Sequence, residues 1–280
     1  MTGMLKFVVM SDLHLVPEGG HSKGLDTVGR FRQAVDSLNT NHADAAFCVL
    51  AGDLADLGEP EAYAALRRVA AEIAMPVHFM LGNHDDRPTF LAEVPEAVTD
   101  EAGFVQSAID AGGHRILLLD SSEPGVVGGV LCDRRLGWLT DRLDEAEDSP
   151  VIVVLHHHVN PLLMPVDRIR LAEPERLVTV LHRHDDIRMV LAGHVHRTTA
   201  ATWHGLPFAT LSGNHYPVSA QLPGVPGEQQ GFEGPAQYAV VVADEDGCLV
   251  HFHNYIDRHA PLARGLFRRG DADVRKTSTD

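Results

Sequence analysis

Five short clusters combine residue types that could hold a metal and do chemistry with it. They are Asp12-Leu13-His14, Gly52-Asp53, Gly82-Asn83-His84-Asp85, His156-His157-His158 and Gly193-His194-Val195-His196. Carboxylate, imidazole and amide oxygen suit hard to borderline divalent cations such as Mn, Fe, Co and Zn. No cysteine lies in any cluster, which argues against a structural thiolate zinc site. In Asp12-Leu13-His14 and His194-Val195-His196 the polar residues are two apart. On an extended chain such a pair points to one side, and the apolar residue between them points away. Gly52, Gly82 and Gly193 stand just before the donors, where a sharp turn or a close backbone approach is needed. Taken singly, Asp12 or Asp53 reads as a helix cap or turn residue and Asn83 as a turn residue. His14 alone reads as an ordinary surface or core histidine. The ordered set is what points to a site.

The elements that must position these clusters are legible from hydrophobic patterning. Residues 5–10, 45–50, 77–81, 116–119, 151–155 and 189–191 are short apolar runs that predict buried strands. Helices are predicted over 27–39, 60–72, 134–145 and 174–184, with Pro60 and Pro174 in first turns that tolerate proline. Later segments pair as hairpins, 104–109 with 114–120, 198–203 with 207–211, and 237–243 with 248–255. Strand–helix units followed by hairpins imply an α/β fold of two packed sheets with helices outside. The carboxyl ends of parallel strands collect on one rim, where ligands bind. If the clusters from Asp12 to His196 meet there, residues 1–258 form one domain, with a tail over 259–280. Residues 222–235, rich in Gly, Pro and Gln, read as a lid or an oligomer-contact loop, and 271–280 as a frayed polar end.

The series Asp12-x-His14, Gly52-Asp53-x-x-Asp56, Gly82-Asn83-His84-Asp85, His156 and Gly193-His194-x-His196 resembles the calcineurin-like metallophosphoesterases in order and distance, over about residues 5–255. Within that family, Gly82-Asn83-His84-Asp85-Asp86 and residues 25–38 most resemble the bacterial class III cyclic-nucleotide and glycerophosphodiester phosphodiesterases. The resemblance implies a four-layer αββα sandwich of two mixed β-sheets flanked by helices, the metallo-dependent phosphatase fold. It also implies two divalent metal ions (Mn, Fe, Zn or Co). Asp12, His14 and His196 would hold the first, Asn83, His156 and His194 the second, and Asp53 would bridge both. His84 would face the substrate as a catalytic residue, with Asp56 hydrogen-bonded behind it to fix its tautomer. The activity implied is hydrolysis of a small phosphodiester by metal-bound hydroxide. Alternatives are a phosphomonoesterase on the same site and a non-catalytic protein-binding platform; platform members are expected to lose ligands, and here all are present. One departure is the run of three histidines, with proline only at Pro161, where many relatives have two histidines followed by prolines. His156 comes first after its strand and is the expected ligand, with His157 and His158 as alternates. Arg87 either binds a phosphate oxygen or pairs with an acid, and His215 is a candidate substrate contact, since the matching region of related phosphodiesterases lines the pocket. A homo-oligomer, dimer or larger, is also implied.

Composition sets further bounds. The 280-residue chain is 44% hydrophobic and carries a formal net charge of -16. Apart from a short stretch near Arg264 to Arg269 it has no basic run, so a nucleic-acid polymer is not the expected partner. A small anion is still allowed, because bound cations can dominate the local field. Three scattered cysteines, Cys48, Cys132 and Cys248, fit free thiols in a reducing compartment. With no signal-peptide pattern and no run of the ~20 apolar residues that a membrane span needs, a cytoplasmic protein is expected. Other histidines have plainer readings: His78 in a strand core, His182 and His184 at a helix end, and His251 and His253 on a sheet face. His21 and Lys23 lie in the loop after the first donors, read as solvated, with substrate contact as the alternative.

Overall fold

The computed structural model describes residues 4–258 and 260–262. The expected tail, its Arg-rich stretch and its frayed end lie, apart from 260–262, outside the described residues. The first half alternates β1 (Leu5–Met10), α1 (Thr27–Asn41), β2 (Cys48–Ala51), α2 (Pro60–Ala70), β3 (Val77–Met80) and α3 (Arg87–Glu93). The second runs β4 (Ser107–Ala111), β5 (His114–Leu119), α4 (Asp133–Asp144), β6 (Val151–Leu155), a 3-10 turn (Pro165–Ile169), α5 (Pro174–Leu181) and β7 (Ile187–Ala192). Then follow β8 (Thr199–Trp203), β9 (Leu206–Thr210), β10 (Ala236–Ala243) and β11 (Cys248–Ile256).

Local chemistry accounts for the helix starts. Asp26 caps α1 by accepting from Gly29 N at 2.8 Å. Pro60 opens α2, where an absent N–H costs nothing. Hydrophobic patterning does not predict α3, which is short and follows directly on the Gly82–Asp85 cluster. Its signals were nonetheless present: Asp86 caps Thr89 N at 2.9 Å and Pro88 sits in the first turn. β2 starts at Cys48 rather than at 45, because residues 45–47 approach β1 outside the ladder, with Ala46 N bonded to Lys6 O.

The strands form two mixed sheets, ordered β11-β10-β1-β2-β3 and β4-β5-β6-β7-β9-β8. β1, β2 and β3 are parallel, as are β5, β6, β7 and β9, while antiparallel strands close the flanks. Side chains alternate between two buried faces, so the central strands are apolar throughout. Phe7, Val9, Val49, Ile116, Leu118, Ile152, Val154 and Val241 fill the space between the sheets. Val8, Met10 and Leu50 turn outward onto Phe31 and Leu38 of α1 and Tyr63 and Leu66 of α2. Leu117, Val153 and Leu155 turn outward onto Leu139 of α4 and Leu177 and Leu181 of α5. The result is the four-layer αββα sandwich. Residues 222–235 are a loop anchored by bonds such as Ser219 N to Gln230 O at 2.7 Å, with Leu222 and Val225 exposed. Among the described residues no helix is long and apolar enough to cross a membrane.

Candidate metal centre

The chain leaves β1, β2, β3, β6 and β7 at one rim, and short bonds lock these exits together. Asp12 N donates to Gly52 O at 3.1 Å, His14 N to Asp53 O at 2.8 Å and Gly193 N to His156 O at 3.0 Å. Other bonds cross between the sheets, with His194 N donating to Asp12 Oδ1 at 3.0 Å and His156 Nδ1 to Ala51 O at 3.0 Å. The exits are tight enough to hold non-glycine residues in the left-handed region. Asp12, His14, Asp53, His194 and His196 have φ of 56°, 45°, 50°, 70° and 49°. Such conformations persist only where surroundings over-determine them, and they cluster at functional sites. At Gly82 a β-carbon would overlap Asp53 Oδ1, and at Gly193 it would overlap Ser11 Oγ, so only glycine permits the approach.

The donors gather in two groups around Asp53. In the first, His14 Nε2 lies 3.2 Å from His196 Nε2 and 3.5 Å from Asp53 Oδ2, and His196 Nε2 lies 3.5 Å from Asp12 Oδ1. In the second, His156 Nε2 lies 3.2 Å from the same Asp53 Oδ2, and the His156 and His194 ring centres are 5.2 Å apart. Asn83 Oδ1 is buried and has no hydrogen-bond partner among the described residues. It precedes His84, whose N donates to Asp53 Oδ1 at 2.9 Å, and a bare buried amide oxygen is the kind of donor a divalent cation would satisfy.

Each histidine of the set also makes a bond pointing away from the centre. His14 Nδ1 meets Asp56 Oδ1 at 3.0 Å, His156 Nδ1 meets the Ala51 carbonyl, His194 Nε2 the Ile169 carbonyl at 3.0 Å, and His196 Nδ1 the Tyr216 carbonyl at 2.8 Å. These acceptors hold the outward proton and leave the inward nitrogen a lone pair. Burial lowers His14, takes His196 down to about 4 and holds His194 well below the usual imidazole range. Burial also works to raise Asp53, but His156, His84 and His14 outweigh it and hold that carboxyl well below its ordinary range. Conversely, burial works to lower His156, yet Asp53 and Asp12 raise it to about 9. Asp53 is thus held charged while His14, His194 and His196 are held neutral, the forms in which each would ligate a cation.

Of the three consecutive histidines, His156 is the one whose nitrogen reaches Asp53. His157 spends Nδ1 on Ser121 Oγ (2.8 Å) and Nε2 on the Val127 carbonyl (3.2 Å), and His158 Nε2 faces Asp167 at 3.3 Å. His84 stands at the opening, its side chain 37% exposed and its ring edge-on to His14 at 4.5 Å. The sequence reading placed the Asp56 carboxylate behind His84. In the structure the Asp56 carbonyl accepts from His84 Nδ1 at 2.6 Å, while its carboxylate bonds His14 and Ser22 Oγ (2.9 Å) and lies 3.9 Å from His84. Asp56 N is also bonded to Leu15 O at 2.9 Å, which ties its backbone to the residue after His14.

Arg87 pairs with an acid, 2.9 Å from the buried Asp120, and also donates to Ser122. His215 is wholly buried beside His14. His78 packs on Phe47, His253 meets Ser37 and His42, and Lys23 lies over the Tyr216 ring. Asp85 has a structural role that its residue type alone does not reveal. Its carboxylate accepts from Leu54 N, Ala55 N, Gly82 N and Tyr63 OH at 2.9–3.1 Å, tying the β2 exit to the β3 exit. Its place in the Gly82–Asp85 cluster was the available signal.

Known proteins match this arrangement. Residues 5–198 match the calcineurin-like phosphoesterase family. A probable cyclic nucleotide phosphodiesterase of Rhodopseudomonas palustris is 35% identical over 251 residues, covering 88% of this chain and 91% of that protein. The glycerophosphodiester phosphodiesterase GpdQ of Enterobacter lignolyticus is 30% identical over 208 residues, 72% of this chain and 74% of that protein. Among solved structures, a dimetal phosphatase from Danio rerio superposes with a TM-score of 0.68 at 19% identity, over 92% of this chain and 98% of that one, which speaks to the fold. With a family match over residues 5–198 and a 35% identical relative covering most of its length, the chain belongs to the calcineurin-like phosphoesterases and is a metal-dependent phosphoester hydrolase.

Proposed function

We propose that the chain hydrolyses a small phosphodiester, of cyclic-nucleotide or glycerophosphodiester type, at a centre for two divalent cations. The observation that carries this reading is the position of Asp53 Oδ2, 3.5 Å from His14 Nε2 and 3.2 Å from His156 Nε2. One carboxylate oxygen thus faces both donor groups. Asp12, His14 and His196 complete the first, and Asn83, His156 and His194 the second. Mn, Fe, Co and Zn all suit these donors. Two such cations, when bound, supply an activated water near neutral pH and positive charge for the phosphoryl oxygens.

The chain's own groups do the rest. The Asp56 carbonyl accepts from His84 Nδ1 and so fixes the ring at the opening, where its side chain is 37% exposed. From there His84 hands a proton to the departing ester oxygen. Asp85 and the glycines keep the exits of β2 and β3 at the spacing the donors need. The diester preference rests on the relatives, which are named as phosphodiesterases. A phosphomonoesterase is the second reading, because the same donors can serve a monoester. The free cysteines support a reducing compartment, the cytoplasm.

The test compares bis(p-nitrophenyl) phosphate with p-nitrophenyl phosphate on metal-loaded protein, with Asp53→Ala as control. A diester preference that the variant loses, together with bound metal, is the expected result. A monoester preference would move the assignment to a phosphatase. Two bound metals with no turnover would favour the protein-binding platform.

A further inference from the structure

We propose that His215 supplies a further nitrogen, Nδ1, to the cation held by Asp12, His14 and His196; the inference rests on the two-cation reading above. His215 follows β9 and is 0% exposed. Its ring centre is 4.7 Å from that of His14 and 6.0 Å from that of His196. One ligand nitrogen from each of the three lies within 4.8 Å of the others. His215 Nε2 lies 3.2 Å from the Ser22 carbonyl. A carbonyl only accepts, so Nε2 carries the proton and Nδ1 is a lone pair. That lone pair is buried with no hydrogen-bond partner among the described residues. A buried acceptor left unmade is costly, and an apolar ring would fill the same space without the cost. A cation shared with His14 and His196 would satisfy it, as one would satisfy Asn83 Oδ1 in the second group.

The surrounding backbone is built to hold this ring against the first donor group. Asn214 N donates to Ser11 O and His215 N to Asp12 O, both at 3.0 Å. The next carbonyl, that of Tyr216, accepts from His196 Nδ1. The segment 214–216 therefore touches two of the proposed ligands directly. From α1 the buried Arg30 clamps it, donating to Asn214 O at 2.9 Å, His215 O at 2.6 Å and Glu233 O at 2.8 Å. A guanidinium spent on three carbonyls fixes a backbone path to within a narrow range, as metal coordination needs.

The experiment uses the full chain with 15N-labelled histidine rings, loaded with 113Cd2+. This spin-half ion reports nitrogen ligands by scalar coupling. His215→Gln keeps a donor for the Ser22 carbonyl, and His215→Phe keeps the ring volume, so one of the two should preserve the fold. The expected result is a 113Cd coupling to His215 Nδ1 that disappears in His215→Gln, while the couplings of His14 and His196 remain. Cadmium affinity at that position should fall about tenfold or more, since even outer hydrogen-bond partners change metal affinity by that much. Couplings at His14 and His196 with none at His215, or unchanged affinity in both variants, would overturn the proposal while leaving the two-cation reading intact. If neither His14 nor His156 couples to cadmium, the two-cation reading fails first and this proposal with it.

Discussion

At the scale of single residues, the proposed centre would separate the groups that hold charge from one, His84, that moves a proton. His84 is half-exposed and held at Nδ1 by a carbonyl, which suits proton transfer. His84→Ala is therefore expected to keep its metals, measured by elemental analysis, and to lose about 10²-fold or more in kcat, the usual contribution of general acid catalysis. The loss should be larger for an alkyl leaving group than for p-nitrophenolate, which departs without help. Loss of metal in this variant would instead make His84 a ligand. The buried histidines also set an acid limit. Burial lowers His158 and His196 to about 4 from 6.5, so the unfolded chain binds their protons more tightly than the folded one. Their stabilisation is full above about pH 6.5 and is lost as pH falls toward 4. For His158 that amounts to about 2 kcal/mol between pH 7 and 5. Asp85, raised to about 6 by burial and by Asp53, and His156, raised to about 9 by Asp53 and Asp12, work in the opposite sense on acidification. His194, His157 and His215, also lowered by burial, side with His158. In chelator, the urea midpoint should therefore drop from pH 7 to 5, and His158→Gln should shrink the drop. A flat profile would mean that these imidazoles are not buried neutral.

At the scale of elements, the exits of the strands matter more than the strands. α3 begins where the Asn83–Asp86 turn ends, and Arg87 in its first turn reaches the exit of β5 through Asp120 and Ser122. This bond joins the edge of one sheet to the other. Arg87→Met should cost about 2 kcal/mol in urea unfolding. That is less than the 3–5 of a fully buried pair, because Asp120 keeps its bonds from Val105 N and Ser122. KM should move little. A raised KM with unchanged stability would instead put Arg87 on the substrate.

At the scale of the whole molecule, neither sheet alone carries the centre. β1, β2 and β3 present Asp12, His14, Asp53 and Asn83, while β6 and β7 present His156, His194 and His196. Bound cations would fasten the two sheets at the rim, where the proposed ligands Asp12, His14, Asp53, His194 and His196 occupy left-handed backbone. Chelation is expected to lower stability by about 2.7 kcal/mol for each cation present at 100 times its dissociation constant. The thermal midpoint with and without chelator measures this, and an unchanged midpoint would show that the centre is not loaded as proposed.

The amino-acid sequence by itself determined the donor types, their order and the strands that end in them. Those signals are local: short apolar runs, and glycines where a β-carbon would collide; the extended-chain reading of the two-residue spacing does not hold, because Asp12, His14, His194 and His196 all sit at positive φ. It also carried the two-sheet architecture, through parallel units followed by hairpins. Only the tertiary structure decided the pairings. Sequence had no means of showing that His156, rather than His157 or His158, meets Asp53, because the outcome depends on side chains delivered by β2 and by the loop after β5. Nor could it show that Asp56 turns its carboxylate to His14 and its carbonyl to His84, or that Arg87 is committed to Asp120. The fixing acceptors on His156, His194 and His196 are the carbonyls of Ala51, Ile169 and Tyr216. Every residue has a carbonyl, so residue identity leaves no trace of which one is used; the packing of distant segments makes that choice.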